Sequence, residues 1–309
     1  MKAVRITQFG SPDVIVNTNI PRPEAGNGQL LVRIRAAGVG PWDALIRKGT
    51  SGIQQALPLT LGSDIAGTVE AIGAGVDGFQ IGEEVYGLTN EQFTGGYAEY
   101  AAASAGRMAR KPKTLSFVEA AGAPVVAVTA WQMLFEYARV TPGQTILIHG
   151  GAGNVGAYAV QLARDAAVTL IATAATEDVD YVKSLGADSV VDFRKTPFEK
   201  AVPGVDVVID TVGGETRERS LRVLKPGGIL VSVVSPPPAK TGVIDGLTVV
   251  FFYVDVTTAR LNTITRLFES GKLVAHVGTV LPLEGARTAH QMLAGAAHAR
   301  GKIVLKTAA

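Results

Sequence analysis

Residues 144–156 read QTILIHGGAGNVG, a short apolar run that passes directly into a glycine-rich turn. Gly151, Gly153 and Gly156 have the G-x-G-x-x-G spacing. In a dinucleotide-binding turn the first of these glycines allows a tight turn, the second admits a pyrophosphate against the backbone, and the third lets the helix approach the strand. We therefore predict that this stretch binds a dinucleotide, with the first amides of the following helix facing the phosphates.

The sequence on both sides of the turn favours this interpretation. An apolar strand precedes the glycines, an amphipathic helix follows them, and a second apolar strand at 168–173 arrives at the spacing of a βαβ unit. The alternative is a glycine-rich loop that only reverses the chain. A lone motif would not separate the two, whereas the complete strand, turn, helix and strand pattern does.

The middle of the chain alternates apolar strands with helical segments. This alternation predicts an α/β fold with a doubly wound parallel sheet, and right-handed crossovers then determine its topology. Because the strands are nearly all Val, Ile and Leu, helices are expected on both faces. The predicted strands are 144–149, 168–173, 189–192, 205–210 and 229–234.

The two ends of the chain have a different pattern. Up to about Lys113, short alternating segments broken by Gly and Pro predict a β-rich lobe, and the last part of the chain is expected to return to it. The predicted domains are a β-rich domain at 1–115, completed by 270–309, and a dinucleotide-binding domain at 116–269.

Composition limits the class of protein. The chain has 309 residues, 47% of them hydrophobic, and a formal charge of +2 from 29 basic and 27 acidic residues. The interspersed charges predict no nucleic-acid or membrane partner, and without a secretory h-region or a membrane-spanning stretch we expect a cytoplasmic protein. With no cysteine, the chain has no disulfide, no thiolate nucleophile and no cysteine ligand for zinc.

Five motifs in one order carry a resemblance to a known family: GVGPWD at 38–43, LGSDIAG at 61–67, GGYAEY at 95–100, LIHGGAGNVG at 147–156 and LKPGG at 224–228. Over nearly its whole length the chain resembles the medium-chain dehydrogenase/reductase superfamily, in particular its zinc-free quinone oxidoreductase and enone reductase branch. The resemblance implies a GroES-like catalytic domain built from both chain ends and a Rossmann domain, with cofactor and substrate in the cleft that the two form.

The zinc branch of that superfamily has Cys at the position of Gly40 and Gly-His-Glu at the positions of residues 62–64. Here residues 62–64 read GSD, and all four histidines of the chain lie at or after His149. Catalytic zinc needs three protein ligands of the His, Cys or carboxylate type. We therefore predict a metal-free enzyme.

The end of the second predicted strand bears on the choice of cofactor. NAD-binding proteins place a carboxylate there for the ribose hydroxyls, whereas this sequence has small residues, which favours NADPH. Glu177 and Asp178 follow at once; our interpretation is that Thr176 caps the next helix and that both acids point to solvent. Lys183 and Arg194 are the candidate partners of the 2′-phosphate. With the nicotinamide positions implied by the resemblance, the predicted cofactor-binding residues are Thr129, Gly151, Ala152, Gly153, Asn154, Val155, Gly156, Thr173, Ala174, Thr176, Arg194, Val212, Gly213, Val234 and Phe252.

The resemblance also implies a substrate pocket, formed by Gly40, Pro41, Trp42, Asp43 and Leu45. Relatives commonly have Asn at the position of Gly40 and Tyr or Lys at that of Leu45, so this chain has no hydrogen-bond donor at either place. Trp42 either stacks on a flat substrate or packs, and helix capping is favoured over acid catalysis for Asp43. The catalytic residues remain unknown.

The leading hypothesis is an NADPH-dependent, zinc-independent oxidoreductase of the quinone reductase or alkenal/enone reductase type. The alternatives are a non-catalytic NADPH-binding protein, either crystallin-like or a sensor, and an enoyl-thioester reductase. The apolar stretch Leu247–Val254 is predicted to be the last strand of the sheet. Because an uncovered strand of this kind aggregates, we expect it to pair with its copy in a homodimer.

Overall fold

The computed structural model describes residues 1–234, 236 and 238–307. The chain forms two compact units, the first from residues 1–125 and 256–309 and the second from residues 126–255. Compared with the predicted domains, residues 116–125 and 256–269 fall in the first unit. The reason is packing. A short helix at Phe117–Ala121 lies against two strands of the first unit, and the helix at Thr258–Glu269 lies against a third strand of that unit.

The strands, in chain order, are β1 (Lys2–Ile6), β2 (Val16–Asn19), β3 (Gln29–Val39), β4 (Leu59–Thr60), β5 (Asp64–Ile72), β6 (Glu84–Leu88), β7 (Tyr100–Ser104), β8 (Met108–Arg110), β9 (Thr145–Ile148), β10 (Thr169–Ala174), β11 (Ser189–Asp192), β12 (Val205–Asp210), β13 (Leu224–Ser232), β14 (Gly242–Ile244), β15 (Leu247–Phe251), β16 (Val277–Pro282) and β17 (Lys302–Lys306). The α-helices are α1 (Pro41–Lys48), α2 (Phe117–Ala121), α3 (Pro124–Trp131), α4 (Asn154–Arg164), α5 (Val179–Ser184), α6 (Phe198–Ala201), α7 (Gly214–Ser220), α8 (Thr258–Glu269) and α9 (Ala286–Leu293). A π-helical segment, Gln132–Tyr137, continues α3.

The second unit contains the predicted parallel sheet. Its strand order is β11-β10-β9-β12-β13-β15-β14, and all neighbours except β14 and β15 are parallel. The order reverses between β9 and β12, so the loops at the carboxyl ends of these two strands flank the switch point of a Rossmann sheet. All five predicted strands are present, and the apolar residues of β9 are fully buried, as a strand covered on both faces requires.

The first unit is β-rich, and the end of the chain completes its sheet. The order is β16-β17-β3-β5-β6-β8, with β7 also paired to β3, and a smaller sheet has the order β2-β1-β4. The last strand, β17, is antiparallel to β3, with Ile303 opposite Val39 and Lys306 opposite Ala36. Its core includes Val32, Ile34, Val69, Ile303 and Leu305.

The predicted edge of the parallel sheet is wrong in one respect. Leu247–Val254 is not the last strand, because β14 pairs antiparallel with β15 and covers its outer side. The strand also ends at Phe251. The outermost strand is therefore the three-residue β14, whose Val243 side chain is 78% exposed.

Candidate active site

The glycine turn follows β9 and leads directly into α4. Gly150 has φ of +70°, the left-handed region that favours glycine, so Gly150 rather than Gly151 makes the tight turn. A Cβ atom on Gly156 would lie 2.0 Å from the carbonyl oxygen of Gly150, which explains the glycine at the third position of the motif. A Cβ on Gly153 would meet only that same oxygen, at 3.2 Å, and Gly153 is exposed.

The start of α4 suits an anion. Gly153 is the N-cap residue, and among the described residues no side chain hydrogen-bonds to this end of the helix. The first amides of a helix lack partners within the helix and carry its positive end. Ala152, Asn154 and Val155 are partly exposed there. The turn therefore fits the phosphates of a dinucleotide.

A buried, neutral hydrogen-bond network supports the turn from below. Ser220 Oγ donates to the carbonyl of Thr216 at 2.6 Å, so this oxygen accepts from His149 Nε2 at 2.9 Å. His149 Nδ1 then accepts from Thr173 Oγ1 at 3.2 Å, and Thr173 Oγ1 accepts from Gly150 N at 3.2 Å. Burial lowers the pKa of His149 to about 4. His149 is thus a neutral residue of this network, with a hydrogen-bond partner on each ring nitrogen.

Two residues predicted to contact the cofactor, Thr173 and Ala174, lie inside the second unit. Thr173 is 3% exposed, and its hydroxyl is hydrogen-bonded to His149 within the network. Ala174 is 2% exposed. The two side chains point to opposite faces of the sheet, and both are buried because β10 is an inner strand covered on both faces. Their side chains therefore shape the site from beneath and do not line its surface.

The interpretation of residues 176–178 is wrong for Thr176 and correct for the exposure of Glu177. Thr176 does not cap α5, because its hydroxyl donates to Asp192 Oδ2 at 2.7 Å, at the end of β11. Glu177 is exposed, but it is paired, since Arg194 Nη1 donates to its carboxylate at 2.8 Å. The hydrogen bond from Thr176 lowers the pKa of Asp192 below its usual value. The charged groups at the ends of β10 and β11 are therefore the carboxylates of Glu177 and Asp192, the guanidinium of Arg194 and the ammonium of Lys195, which lies 3.1 Å from Asp192 Oδ2.

The loop after β12 is held by a residue that the sequence analysis missed. Asp210 is fully buried; its Oδ1 accepts from the amides of Val212 and Gly213 at 3.0 and 2.8 Å, and its Oδ2 accepts from Ser232 Oγ at 2.7 Å. This fixes the second loop of the switch point, where Val212 is 48% exposed. An aspartate at the carboxyl end of a buried strand, followed by two glycines, was the available signal.

The remaining predicted nicotinamide residues differ in exposure. Thr129 is 4% exposed, while Val234 is partly exposed. Phe252 is 6% exposed, and its ring stacks on Tyr137 with centroids 4.1 Å apart. The ring of Phe252 is therefore mainly a packing group.

In the first unit, Trp42 is the largest of the predicted substrate residues. Its Nε1 donates to Ser63 Oγ at 3.0 Å, and the ring of Phe93 contacts it edge-on with centroids 6.5 Å apart. Pro41 is exposed and Leu45 is partly exposed, both on α1.

Asp43 caps α1, as its preferred interpretation predicted. Its Oδ2 accepts from the Gly40 amide at 2.8 Å and from the Tyr97 hydroxyl at 2.9 Å. Among the described residues its Oδ1 has no partner, although Asp43 is completely buried. Burial raises the pKa of Asp43 to about 7. The Asp43 carboxylate is therefore enclosed by the protein.

A buried ammonium group lies beside Asp64 and Trp42. Lys302, from the last strand, is 2% exposed; its Nζ lies 3.5 Å from Asp64 Oδ2 and 4.3 Å from the centroid of a Trp42 ring. Burial raises the pKa of Asp64 to about 6 and lowers that of Lys302. Ser63 is bonded to Trp42, and the described part of the chain holds no group of three His, Cys, Asp or Glu placed for a metal. These residues do not fit a catalytic zinc.

A surface cavity of about 580 Å³ lies away from the glycine turn, in the second unit. Gln144 and Asp206, at the amino ends of β9 and β12, line it. In a parallel sheet the nucleotide lies at the carboxyl ends. The cavity is therefore not the nucleotide site.

Taken by themselves, the units define a class of protein: a Rossmann unit with a glycine turn at its switch point, and a β-rich unit completed by the end of the chain. Two family models match, "Alcohol dehydrogenase GroES-like domain" over residues 26–113 and "Zinc-binding dehydrogenase" over residues 185–305. None of the helices within the described ranges has the length and apolar character to cross a bilayer.

Similar proteins narrow the class. A quinone oxidoreductase of Pongo abelii is 31% identical over 99% of this chain and 97% of its own length. The chloroplastic NADPH-dependent alkenal/one oxidoreductase of Arabidopsis thaliana is 33% identical over 99% of this chain and 79% of its own. The crystal structure of Escherichia coli quinone oxidoreductase complexed with NADPH superposes with a TM-score of 0.87, 26% identity and coverage of 98% of this chain and all of that one.

The chain therefore belongs to the medium-chain dehydrogenase/reductase superfamily, in its quinone oxidoreductase branch. It is an oxidoreductase with a GroES-like and a Rossmann unit.

Proposed function

We propose that this chain is an NADPH-dependent, zinc-independent reductase that transfers hydride to quinones or α,β-unsaturated carbonyls. The observation that carries the proposal is the uncapped start of α4 beside the glycine turn at the switch point. The names of the relatives support the cofactor and both acceptor classes. When bound, the nicotinamide supplies the hydride, and the protein positions it and excludes water.

A charge placed at the turn tests nucleotide binding. In Gly153→Asp the new Cβ meets only a carbonyl oxygen at 3.2 Å, whereas its carboxylate repels a pyrophosphate at the start of α4. We expect the Kd for NADPH to rise roughly tenfold or more. Gly106→Asp is the matched control, since a Cβ there meets nothing within 4 Å. Equal affinity in the two variants would place the nucleotide elsewhere.

Preference for NADPH over NADH depends on the corner after β10. Arg194 and Glu177 are each 57% exposed, and an exposed pair of this kind stabilises the fold little, so Arg194 is free to turn to a 2′-phosphate. The carboxylate of Asp192 repels a 2′-phosphate, so binding of the phosphate depends on the positive charge of Arg194. We expect Arg194→Ala to weaken NADPH binding and leave NADH unchanged, and Glu177→Gln to strengthen NADPH binding. Lys200→Ala, on an exposed lysine of α6, is the control, and tighter binding of NADH by the unmodified protein would refute the assignment.

Zinc independence is supported by Gly40 and Ser63, which stand where the zinc branch has its ligands, and by the buried Lys302–Asp64 pair beside them. We expect the activity to survive a chelator and to be unaffected by added zinc. Loss of activity on chelation with recovery on zinc addition would overturn this part of the proposal.

A non-catalytic NADPH-binding protein is the second candidate. The hydrogen-bond donors near Trp42 favour it, because none of the three is directed at a substrate. The Tyr97 hydroxyl, the Lys302 ammonium and the indole N–H each bond to a group of the protein. Oxidation of NADPH in the presence of a quinone panel and an enone panel separates the two. Tight binding without turnover on either panel would select the second candidate.

We also propose a homodimer, now through β14 instead of Leu247–Val254. Val243 on this outermost strand is 78% exposed, and an apolar edge of this kind favours pairing with a copy. Sedimentation of Val243→Lys against the unmodified protein tests this, and a monomer at micromolar concentration for both would refute it. The cytoplasmic location stays a prediction that cell fractionation would test.

A further inference from the structure

A hydrogen bond joins the two loops that flank the switch point of the parallel sheet. Thr211 Oγ1, in the loop after β12, donates at 2.7 Å to the carbonyl oxygen of His149, the residue directly before the glycine turn. The loops also touch, since a Cβ atom on Gly150 would lie 2.7 Å from Thr211 Oγ1 and 3.2 Å from a methyl carbon of Val212. Position 150 is therefore restricted to glycine by the neighbouring loop as well as by its own φ.

The loop after β12 is also fixed from its own side of the sheet. The amides of Val212 and Gly213 donate to one oxygen of Asp210, which is completely buried. Gly213 has φ of +77°, and a Cβ atom there would lie 2.8 Å from a methyl carbon of Val234. Asp210 thus determines the shape of the loop, and Thr211 determines where the loop lies relative to the glycine turn.

The two loops belong to different halves of the sheet. A Rossmann sheet binds one mononucleotide of a dinucleotide on each half. Here the half formed by β9, β10 and β11 carries the glycine turn, and the half formed by β12, β13 and β15 carries the loop after β12. Val212 is 48% exposed on that loop, although the Asp210 carboxylate that holds its amide is buried. An exposed side chain on a backbone held from behind is the arrangement that a ligand-contacting loop requires.

Resting on the function proposed above, we propose that Thr211 is a positioning residue that sets the loop for the nicotinamide half of NADPH relative to the turn for its phosphates. Its hydroxyl is bonded to His149, so Thr211 acts through the loop and not by contact with the nucleotide. A dinucleotide has to meet both loops at once. A bond between the loops therefore removes relative positions that binding would otherwise have to restrict.

Two ligands test the inference, because adenosine 2′,5′-bisphosphate contains the adenosine half alone and NADPH contains both halves. Thr211→Val keeps the shape of the side chain and lacks the hydroxyl. We expect the Kd for NADPH to rise roughly tenfold in this variant and the Kd for the bisphosphate to change by less than about twofold. Thr211→Ser keeps the hydroxyl and is expected to bind both ligands as the unmodified protein does. Thr145→Val, on a partly exposed threonine at the amino end of β9, is the matched control and is expected to leave both Kd values unchanged.

Fluorescence of bound NADPH gives a second measurement that depends neither on affinity nor on turnover. At saturating NADPH we expect a lower anisotropy of the nicotinamide emission in Thr211→Val than in Thr211→Ser, because the loop restricts the ring less. An equal rise of both Kd values in Thr211→Val would show that the hydroxyl only supports the fold, and that result, or no rise in either value, would overturn the inference. An unmodified protein that binds neither ligand would instead refute the proposed function.

Discussion

Beneath the glycine turn of the second unit the buried polar groups are neutral and bonded to one another, whereas around α1 of the first unit they are charged and incompletely bonded. His149 has a partner on each ring nitrogen. Asp43, by contrast, has an oxygen without a partner among the described residues, and Lys302 lies at 3.5 Å from its carboxylate partner. We refer to these groups as the neutral network (His149, Thr173, Ser220) and the charged cluster (Asp43, Asp64, Tyr97, Lys302).

The difference shows what each arrangement can do. A satisfied neutral network fixes one backbone geometry, which suits a turn that presents amides to a phosphate. A charged cluster is costly to bury and depends on every member, because removing one charge leaves another uncompensated. The charged cluster is thus the more vulnerable of the two regions, and each prediction below tests that ranking.

The largest effect is expected on removing the buried ammonium. Lys302→Met leaves Asp64 with no cation nearby, and breaking a buried pair costs about 3–5 kcal/mol, so we expect the first unit to unfold at a clearly lower urea concentration. Lys306→Met, an exposed lysine on the same strand, is the control. The double variant Asp64→Asn, Lys302→Met is expected to recover most of the loss. Lys302→Met and Lys306→Met unfolding alike would show that the cluster is not charged.

The next effect is an opposite pH dependence in the two units. His149 has a usual pKa of 6.5 and a folded pKa of about 4, so the unfolded chain binds the proton more readily and the stability that His149 contributes is lost as the pH falls from 6.5 to 4. Asp43 has a usual pKa of 3.8 and a folded pKa of about 7, so the folded chain binds the proton more readily and stability is lost as the pH rises through this range. Each effect is on the order of 3 kcal/mol.

Hydrogen exchange at several pH values between these limits measures both trends, after correction for intrinsic exchange rates. The amides of β9 are expected to become more protected as the pH rises, and those of α1 and β3 less protected. The substitution Asp43→Asn is expected to remove the pH dependence of protection in α1 and β3 and to leave that in β9 unchanged. Parallel trends in the two units would contradict the comparison.

Local pattern was enough to predict the second unit. Ser189–Asp192 and Val205–Asp210 are strands with the predicted bounds, because short β-branched runs between helical segments have few alternatives in a parallel sheet. The glycine spacing likewise predicted the turn, although the positive φ falls on Gly150. Periodicity did not predict β14, since a three-residue strand is too short to show a period and forms only because β15 offers it a partner.

The contacts of the first unit could not be predicted from the sequence, for a different reason. Lys302 and Asp64 are 238 residues apart, and a single lysine in an apolar last strand does not indicate which carboxylate it meets. Gly40 and Trp42 are close in sequence, and a Cβ atom on Gly40 would lie 2.3 to 2.5 Å from three ring atoms of Trp42. That contact depends on the direction of the indole, which Ser63 and Lys302 determine. The arrangement of the candidate substrate residues therefore depends on tertiary contacts, whereas the glycine turn depends mainly on local sequence.

A smaller effect is expected when the Tyr97 hydroxyl is removed. Tyr97→Phe takes one of the two donors from Asp43, and a hydrogen bond to a charged group contributes about 2 kcal/mol. Because Asp43 is ionised only above its raised pKa of about 7, the loss is expected to be greater at pH 8 than at pH 5, both values chosen to bracket it. Tyr100→Phe, on a partly exposed tyrosine of β7, is the control. A loss independent of pH would mean that Asp43 keeps one protonation state throughout.

The smallest effect is expected in the neutral network. Ser220→Ala removes the acceptor of His149 Nε2 without leaving a charge, and we expect a loss of about 1 kcal/mol. Ser184→Ala, on an exposed serine that bonds only to the backbone of its own turn, is the control, with no measurable change in the urea midpoint. Because Ser220 supports the turn through His149 and Thr173, the variant is also expected to weaken NADPH binding slightly. If Ser220→Ala instead destabilised the chain as strongly as Lys302→Met, charge would not be what distinguishes the two regions.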